Sequence, residues 1–400
     1  VEYKFKSDPD FFYLTGLEEP NSICVLKKDK RSTSYTLFVE EKNKEKEIWI
    51  GKRTGTSGAK STYKADIAYP IHEFEKKLKG LIQGSEHIYY PIGKCKELDT
   101  KITTIVNELK KSSRAGIKTP KEISDPRDLI HKMRLIKDGH EIELMETAAQ
   151  ISRSAHILAM LNAKPNIFEY ELEAIIEYQF RSQGASAPAY TSIVGSGKNC
   201  TILHYIENNR KIKNGDLILI DAGCEYENYA SDVTRTFPAN KKFTGAQKDL
   251  YEIVLEAQLK SIEQIKPGKR FIDAHEKTVE VIVEGLKELK LLKGSTEKII
   301  AKGEYKKFYM HKTGHWLGLD VHDAGPYIDN KGNSIKLTSG MVTTVEPGIY
   351  ISEDSDNVPQ EFRGIGIRIE DDVLVTSKGN RILTAGTPKT IKEIENVASG

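Results

Sequence analysis

Hydrophobic and polar positions follow two kinds of pattern in the first 117 residues. The segments TSYTLFVE, from Thr33, and KEIWIGKR, from Lys46, concentrate β-branched and aromatic residues, and they predict strands. The segment HEFEKKLKGLI, from His72, spaces its apolar residues three and four apart and predicts a helix. We therefore expect a small α/β domain over residues 1–117. Because the chain begins at Val1 without a methionine, we expect this domain to be truncated at its start.

A polar segment with two prolines, KTPKEISDPRD, interrupts these patterns. Prolines among polar residues are typical of loops, so the sequence predicts a linker over residues 118–126 and a second domain over residues 127–400. A strongly helical pattern runs from Asp138 to Leu161. One face of this helix is marked by Ile142, Met145, Ala149, Ser152 and His156.

A weak internal repeat appears in the second domain. AKPNIFEYELEAIIEY, from Ala163, and IKPGKRFIDAHEKTVEVI, from Ile265, each place Lys-Pro after a long helix and before a second helix. Later segments, GMVTTVEPGIYI and GIGIRIEDDVLVT, predict strands. Two tandem helix-pair units that lead into strands predict a pseudo-symmetric domain, although chance similarity between amphipathic helices explains the repeat equally well. The predicted fold class is α+β.

Composition restricts the class of protein. A hydrophobic fraction of 38% and a charged fraction of 30% are typical of a globular protein in water. The net charge of +2 argues against nucleic acid or an anionic membrane as the main partner. No apolar run is long enough to span a membrane, and no signal peptide is visible. The four cysteines form no C-x-x-C pair, which favours reduced thiols in the cytoplasm.

The segment MHKTGHWLGLDVHDAG contains three of the ten histidines, His311, His315 and His322. It has no H-E-x-x-H motif, and its glycines interrupt any helix. A single histidine in a protein is usually just a buried, hydrogen-bonded residue. Three within twelve positions, with aspartates beside them, favour a chemical role.

Four acidic residues stand at apolar strands, where burying an unpaired carboxylate is costly. They are Asp221, Asp232, Glu346 and Glu370. Each alone can be an ion-paired or solvent-facing acid, but together they predict a shared cation. Their charges match two divalent ions, and an oxygen-rich site with one imidazole suits Mn²⁺ better than structural zinc. Two such ions can share one water and convert it to a hydroxide nucleophile.

Several motifs then carry a family resemblance. ILHYIENN, HWLGLDVHD, EPGIY and GIGIRIEDD occur in this order, after FKSDPDFFYLTGLEEP near the start. The chain resembles aminopeptidase P, the Xaa-Pro aminopeptidase of the pita-bread metallopeptidases, from about Phe5 to Thr384. The resemblance implies a creatinase-like N-terminal domain before a pita-bread catalytic domain. The chain departs from the pattern in the Lys-Thr-Gly between His311 and His315, which touches no proposed ligand.

The resemblance also implies roles for the metal ligands. Asp221 would chelate one ion, and Asp232 and Glu370 would bridge both ions. His315 and Glu346 would complete the coordination, and Glu346 would also accept a proton from the nucleophilic water. The ions implied are two Mn²⁺, with Co²⁺ or Zn²⁺ as alternatives.

The remaining catalytic residues implied are not ligands. His204, His311 and His322 would lie near the scissile carbonyl, steady its oxyanion and relay protons. Arg368 lies two residues before Glu370, on the same face of a strand, and would support these groups.

Two aromatic residues are candidate substrate contacts, Trp49 and Tyr350. Trp49 resembles part of a family loop that reaches the active site of a neighbouring subunit, although a locally packed aromatic is the simpler interpretation. The resemblance accordingly implies a homo-oligomer, either a dimer or a tetramer.

The activity implied is release of an N-terminal residue that precedes proline, from peptides. The imide bond to proline lacks an N–H and has constrained geometry, so a dedicated pocket is plausible. An Xaa-Pro dipeptidase can use the same five ligands and is the alternative. A methionine aminopeptidase fits less well because of the long N-terminal domain. A metal-free binding protein on the same fold is expected to have lost ligands, whereas all five are present here.

Overall fold

A computed structural model describes residues 4–30, 32–111, 116 and 118–399. It divides into two compact units, Val1–His131 and Lys132–Gly400. The domain boundaries inferred from the sequence stay a prediction. Within the described residues, no helix combines the length and the apolar character needed to cross a membrane.

The first unit consists of short helices and strands. Three strands form one sheet, in which β1 pairs antiparallel with β2 and β2 pairs parallel with β3; β4 and β5 form a separate parallel pair. Its elements are α1 (Pro9–Thr15), β1 (Ile23–Lys28), β2 (Thr33–Val39), α2 (Lys44–Ile50), α3 (Gly55–Ser61), β3 (Ile67–Pro70), α4 (Phe74–Ile82), β4 (His87–Tyr89), α5 (Lys96–Lys111) and β5 (Glu122–Ser124). A further helix, α6 (Arg127–Leu135), spans the division between the units.

Two predictions for this unit are confirmed, and one is wrong. Strand β2 and helix α4 occupy the predicted segments. The segment KEIWIGKR was expected to be a strand, but most of it belongs to helix α2. Asn43 caps this helix by accepting hydrogen bonds from two backbone N–H groups, and Gly51 at a φ of 80° ends it. Local capping therefore outweighs the strand preference of the Ile-Trp-Ile run.

The second unit contains the long helices and most of the buried core. In chain order its elements are α7 (Gly139–Asn162), α8 (Glu169–Ser182), β6 (Ala187–Pro188), β7 (Ile193–Ser196), β8 (Leu217–Asp221), β9 (Cys224–Tyr226), β10 (Tyr229–Ala230), β11 (Thr234–Pro238), α9 (Gly245–Ile262), α10 (Phe271–Glu288), α11 (Thr296–Lys302), β12 (Val342–Val345), β13 (Gly348–Ile351), β14 (Ile365–Arg368), β15 (Asp371–Val375), β16 (Asn380–Ile382) and α12 (Ile391–Ser399).

Helix α7 confirms the long helical pattern read from the sequence. Asp138 and Glu141 form a capping box at its start, which satisfies two otherwise unpaired backbone N–H groups. The face that carries Met145, Ser152 and His156 is buried. Helix α7 packs on α8, and α9 packs on α10, so each half of the predicted repeat supplies one helix pair.

The sheets place acidic residues at strand ends. Strands β11, β8 and β7 form one antiparallel sheet, in which Asp221 pairs with Thr234. In the second half, β12 pairs with β15, and β13 pairs with β14. The two halves meet where the backbone N–H of Glu370 donates to the carbonyl of Thr234, at 3.1 Å. Residues from both halves therefore converge at one edge.

Candidate metal centre

Two aspartates from the first half share one hydrogen-bond donor. Asp221 ends β8, and Asp232 lies just before β11. The hydroxyl of Tyr190 lies 2.6 Å from an oxygen of Asp221 and 2.5 Å from an oxygen of Asp232. The predicted convergence of these two carboxylates at the same end of the sheet is confirmed.

Three residues form the centre of the cluster. One ligand atom each from Asp232, His315 and Glu370 lies within 4.8 Å of the other two. Glu370 is nearly buried and accepts a hydrogen bond of 2.6 Å from the hydroxyl of Thr234. Aspartate, glutamate and histidine donors this close together match a divalent metal site.

The orientation of His315 leaves one ring nitrogen facing the carboxylates. Its Nδ1 donates to the carbonyl oxygen of Trp316, at 3.0 Å. Its Nε2 lies 3.4 Å from an oxygen of Asp232 and 3.6 Å from an oxygen of Glu346. A backbone carbonyl that fixes the tautomer of a histidine in this way is typical of metal-binding histidines.

The cluster contains more carboxylates than positively charged groups, which favours binding of a cation. Burial raises the pKa of Asp232, of Glu370 and of Glu346, the last to about 7, and neighbouring carboxylates add to each effect. Burial alone would lower the pKa of His315, but Asp232 and Glu346 outweigh it and raise this pKa to about 9. Buried carboxylates that resist ionisation fit divalent cations, because a cation stabilises their charged form.

Arg368 connects the cluster to a second set of polar groups. Its side chain is buried and donates to Asp221 at 2.6 Å, to the hydroxyl of Thr234 at 3.1 Å and to the hydroxyl of Tyr350 at 3.0 Å. The Tyr350 hydroxyl also lies 2.9 Å from Nε2 of His311. Arg368 is therefore held in one orientation beside Asp221.

The three non-ligand histidines occupy different surroundings. His311 has both ring nitrogens engaged, because its Nδ1 donates to the carbonyl of Lys312 at 2.7 Å and its Nε2 faces Tyr350. Burial lowers its pKa to about 4. His322 and His204 are exposed, and the ring of His322 lies edge-on to that of His315 at a centroid distance of 4.4 Å. His322 and His204 are thus the histidines open to an incoming substrate.

Trp49 lies outside this set of contacts. It belongs to helix α2 in the first unit, where 87% of its surface is exposed. At this exposure Trp49 is not a locally packed aromatic. Its neighbour Ile48 is 82% exposed as well. Its role in substrate binding stays a prediction.

Tyr190 is a residue that the sequence analysis missed. It precedes the strand segment SIVGS and belongs to none of the motifs quoted above. Only the folded sheet shows that its hydroxyl lies between Asp221 and Asp232.

Comparison with models of protein families identifies the family of the chain. The model of metallopeptidase family M24 matches residues 143–377, and the model of the aminopeptidase P N-terminal domain matches residues 1–89. The chain belongs to metallopeptidase family M24. Such a metallopeptidase uses divalent metal ions, and the cluster at Asp232, His315 and Glu370 provides suitable ligands.

Similar proteins cover this M24 chain almost completely. The Xaa-Pro aminopeptidase of Escherichia coli is 42% identical over 98% of this chain and 89% of that protein. The Xaa-Pro aminopeptidase of Haemophilus influenzae is 44% identical, over 99% of this chain and 89% of that protein. The solved structure of Pseudomonas aeruginosa aminopeptidase PepP covers 100% of this chain and 90% of that chain, at 48% identity and a TM-score of 0.97.

These comparisons confirm the resemblance and the fold class read from the sequence. The M24 chain has the α+β, pita-bread architecture with a smaller N-terminal domain before the catalytic domain. The roles assigned to individual site residues stay predictions.

Proposed function

We propose that the protein is a metal-dependent exopeptidase that releases an N-terminal residue linked to a penultimate proline. The observation that carries this proposal is the cluster formed by Asp232, His315 and Glu370 in an M24 chain. Further support is the 42% and 44% identity to two Xaa-Pro aminopeptidases, over 98% and 99% of the chain. The Xaa-Pro dipeptidase is the rival that an experiment must exclude.

The proposed site holds two divalent ions through five side chains. Asp221, Asp232, His315, Glu346 and Glu370 would bind them. When bound, such ions lower the pKa of a water and polarise the scissile carbonyl. The carboxylate-rich donor set favours Mn²⁺.

The side chains around the ions have separate catalytic roles. Glu346 lies 3.6 Å from both His311 and His315, where its carboxylate can accept the proton of the attacking water. His322, exposed beside His315, donates a hydrogen bond to the developing oxyanion. His204 lies on a separate exposed loop and assists proton transfer to the leaving proline nitrogen.

Arg368, Tyr350 and His311 keep this arrangement rigid. Arg368 orients Asp221, and Tyr350 ties Arg368 to His311. A substrate's free amine would lie beside Asp221. This placement would make the enzyme selective for peptides with a free amino terminus.

Substrate length and the amino end test the proposed activity. We expect kcat/KM to be higher for an Xaa-Pro-Yaa tripeptide than for the matching Xaa-Pro dipeptide, because contacts beyond the cut bond can raise the rate. Acetylating the amino end should nearly abolish cleavage, and replacing proline by alanine should slow it strongly. All four substrates are compared at one Mn²⁺ concentration. Cleavage of the dipeptide alone would assign the protein as a dipeptidase, and easy cleavage of the acetylated peptide would exclude both exopeptidases.

Metal removal tests the proposed cofactor. We expect chelation to abolish activity and Mn²⁺ or Co²⁺ to restore it. Asp232→Ala removes one of the carboxylates that would hold the ions, so both bound metal and turnover should fall, as measured by elemental analysis and peptide hydrolysis. Full activity of a metal-depleted preparation would contradict the proposal.

The proposed working state is a cytoplasmic homo-oligomer. The exposed apolar surface at Ile48 and Trp49 on helix α2 supports the oligomer, and the four free cysteines support the cytoplasmic location. Peptides with a penultimate proline are the proposed partners, and we propose neither nucleic acid nor a membrane as a partner. Measuring the mass of the native protein and of Trp49→Ala tests the oligomer: an unchanged monomeric mass in both would contradict it.

A further inference from the structure

The loop that carries His204 is attached to one buried carboxylate. This loop runs from the end of strand β7 to Arg210, and His204 lies exposed within it. Glu169, the first residue of helix α8, is 0% exposed and lies beneath the loop. The position of an exposed side chain depends on the backbone that carries it, so the attachment of this loop matters for His204.

Glu169 accepts hydrogen bonds from both sides of His204. Its Oε1 accepts from the backbone N–H of Ser196 at 2.6 Å, from the hydroxyl of Ser196 at 2.7 Å and from the amide of Asn199 at 3.2 Å. Its Oε2 accepts from the hydroxyl of Tyr205 at 2.8 Å and from the backbone N–H of Arg210 at 2.8 Å. One carboxylate thus joins the start of the loop, the residue after His204 and the end of the loop.

Only an ionised carboxylate satisfies this set of donors. Its two oxygens offer about four lone-pair sites, whereas a glutamine amide offers one acceptor oxygen and an NH₂ group that only donates. In a Glu169→Gln variant the NH₂ group would face an N–H or hydroxyl donor. A buried donor left without an acceptor costs about 1–3 kcal/mol, so the loop would move to relieve the mismatch.

Further hydrogen bonds near the ends of the loop restrain its backbone. The guanidinium of Arg210 bonds Asp216 at 2.6 Å and the hydroxyl of Ser196 at 2.7 Å. Asn208, at a positive φ of 45°, accepts from the backbone N–H of Val194 at 2.9 Å. The loop is held at its ends, and Tyr205, next to His204, is the anchored point between them.

We propose that Glu169 is a positioning residue that sets the place of His204 for the reaction. The proposal rests on the proposed function, in which His204 assists proton transfer. It assigns Glu169 no contact with the metal ions or the substrate.

A double-mutant cycle tests this coupling. The variants are Glu169→Gln, His204→Ala and the double substitution, with Glu173→Gln on the same helix as a control that changes no loop contact. We expect Glu169→Gln to lower kcat about tenfold, a part of the roughly 10²–10⁴-fold that one general acid–base group contributes, with bound metal unchanged. Its KM should stay within about twofold, because substrate binding does not use His204 before the transition state. In the His204→Ala background the same substitution should change kcat by less than about twofold, since residues that act through one another are not additive.

Two outcomes would contradict the proposal for Glu169, and a third would contradict the role of His204 on which it rests. A wild-type kcat for Glu169→Gln, or an equal loss in the presence and absence of His204, would show that Glu169 does not act through His204. A wild-type kcat for His204→Ala would instead refute the role of His204 in the proposed function. If Glu169→Gln does not fold, Tyr205→Phe removes a single bond to the same carboxylate and enters the same cycle, where a kcat loss independent of His204 would again overturn the proposal.

Discussion

At the scale of single residues, the site separates histidines that are engaged from histidines that are free. His311 is engaged by Tyr350 and by a backbone carbonyl, whereas His322 is exposed beside His315. The sequence analysis gave His204, His311 and His322 one shared role near the scissile carbonyl, because a sequence does not show which ring nitrogens are already hydrogen-bonded. Of the side chains of His311 and His322, that of His322 is the exposed one.

His322→Ala tests this separation. Because His322 is proposed to donate a hydrogen bond in the transition state and not to bind metal, the variant should keep near-normal metal content. Its kcat should fall on the order of 10²–10³, the typical loss for one oxyanion donor. Metal content and kcat are measured on the same preparation. A parallel collapse of both would place His322 among the metal ligands.

At the scale of elements, the sequence predicted what periodicity and local signals encode. Apolar spacing predicted helix α7, to which the structure adds a capping box. The cost of burying carboxylates predicted a shared role for the acids at strand ends. Helix α2 was misread because an exposed Ile-Trp-Ile run resembles a half-buried strand. Tyr190 was missed because its importance arises from two residues more than 30 positions away, which no local pattern reports.

The contact between strand β14 and the 3₁₀ helix Gly197–Thr201 is another feature that only the folded chain shows. A Cβ atom at Gly366 would lie 2.0 Å from the carbonyl oxygen of Cys200. Gly366→Ala should therefore destabilise the protein by about 2–3 kcal/mol, since overpacking forces the backbone apart. Gly379→Ala, where a Cβ atom meets nothing within 4 Å, is the matched control. Urea unfolding of both variants measures the difference, and equal stability would contradict this account.

At the scale of the whole molecule, a buried ion cluster makes stability depend on pH. Asp323 lies 2.8 Å from the ammonium of Lys137 and 2.5 Å from the guanidinium of Arg134. Burial alone would raise the pKa of Asp323, but these two cations outweigh it and lower the pKa below its usual 3.8. A lowered pKa in the folded state means that the stabilisation is complete above about pH 4 and is lost as pH falls through the folded value.

Asp323→Asn measures this contribution. At neutral pH the variant should lose about 3–5 kcal/mol of unfolding free energy, because it leaves the buried ammonium of Lys137 without its anion and leaves Arg134 with Asp320 alone. The difference in unfolding free energy between wild type and variant should become smaller below about pH 4, where Asp323 of the wild type becomes protonated. Asp249→Asn, on an exposed helix position, serves as the control in the same urea titrations across pH. A gap that stays constant down to the acid limit would contradict the assignment.

The division of the metal cluster between the two halves of the catalytic unit has a consequence for how the enzyme is made. A chain leaves the ribosome amino end first, so Asp221 and Asp232 are synthesised well before Glu370. Until Glu370 has joined the polypeptide, the candidate metal centre lacks one of its central ligands. We therefore expect an unfinished copy to have no peptidase activity. The same is expected of a copy that a premature stop codon ends before Glu370.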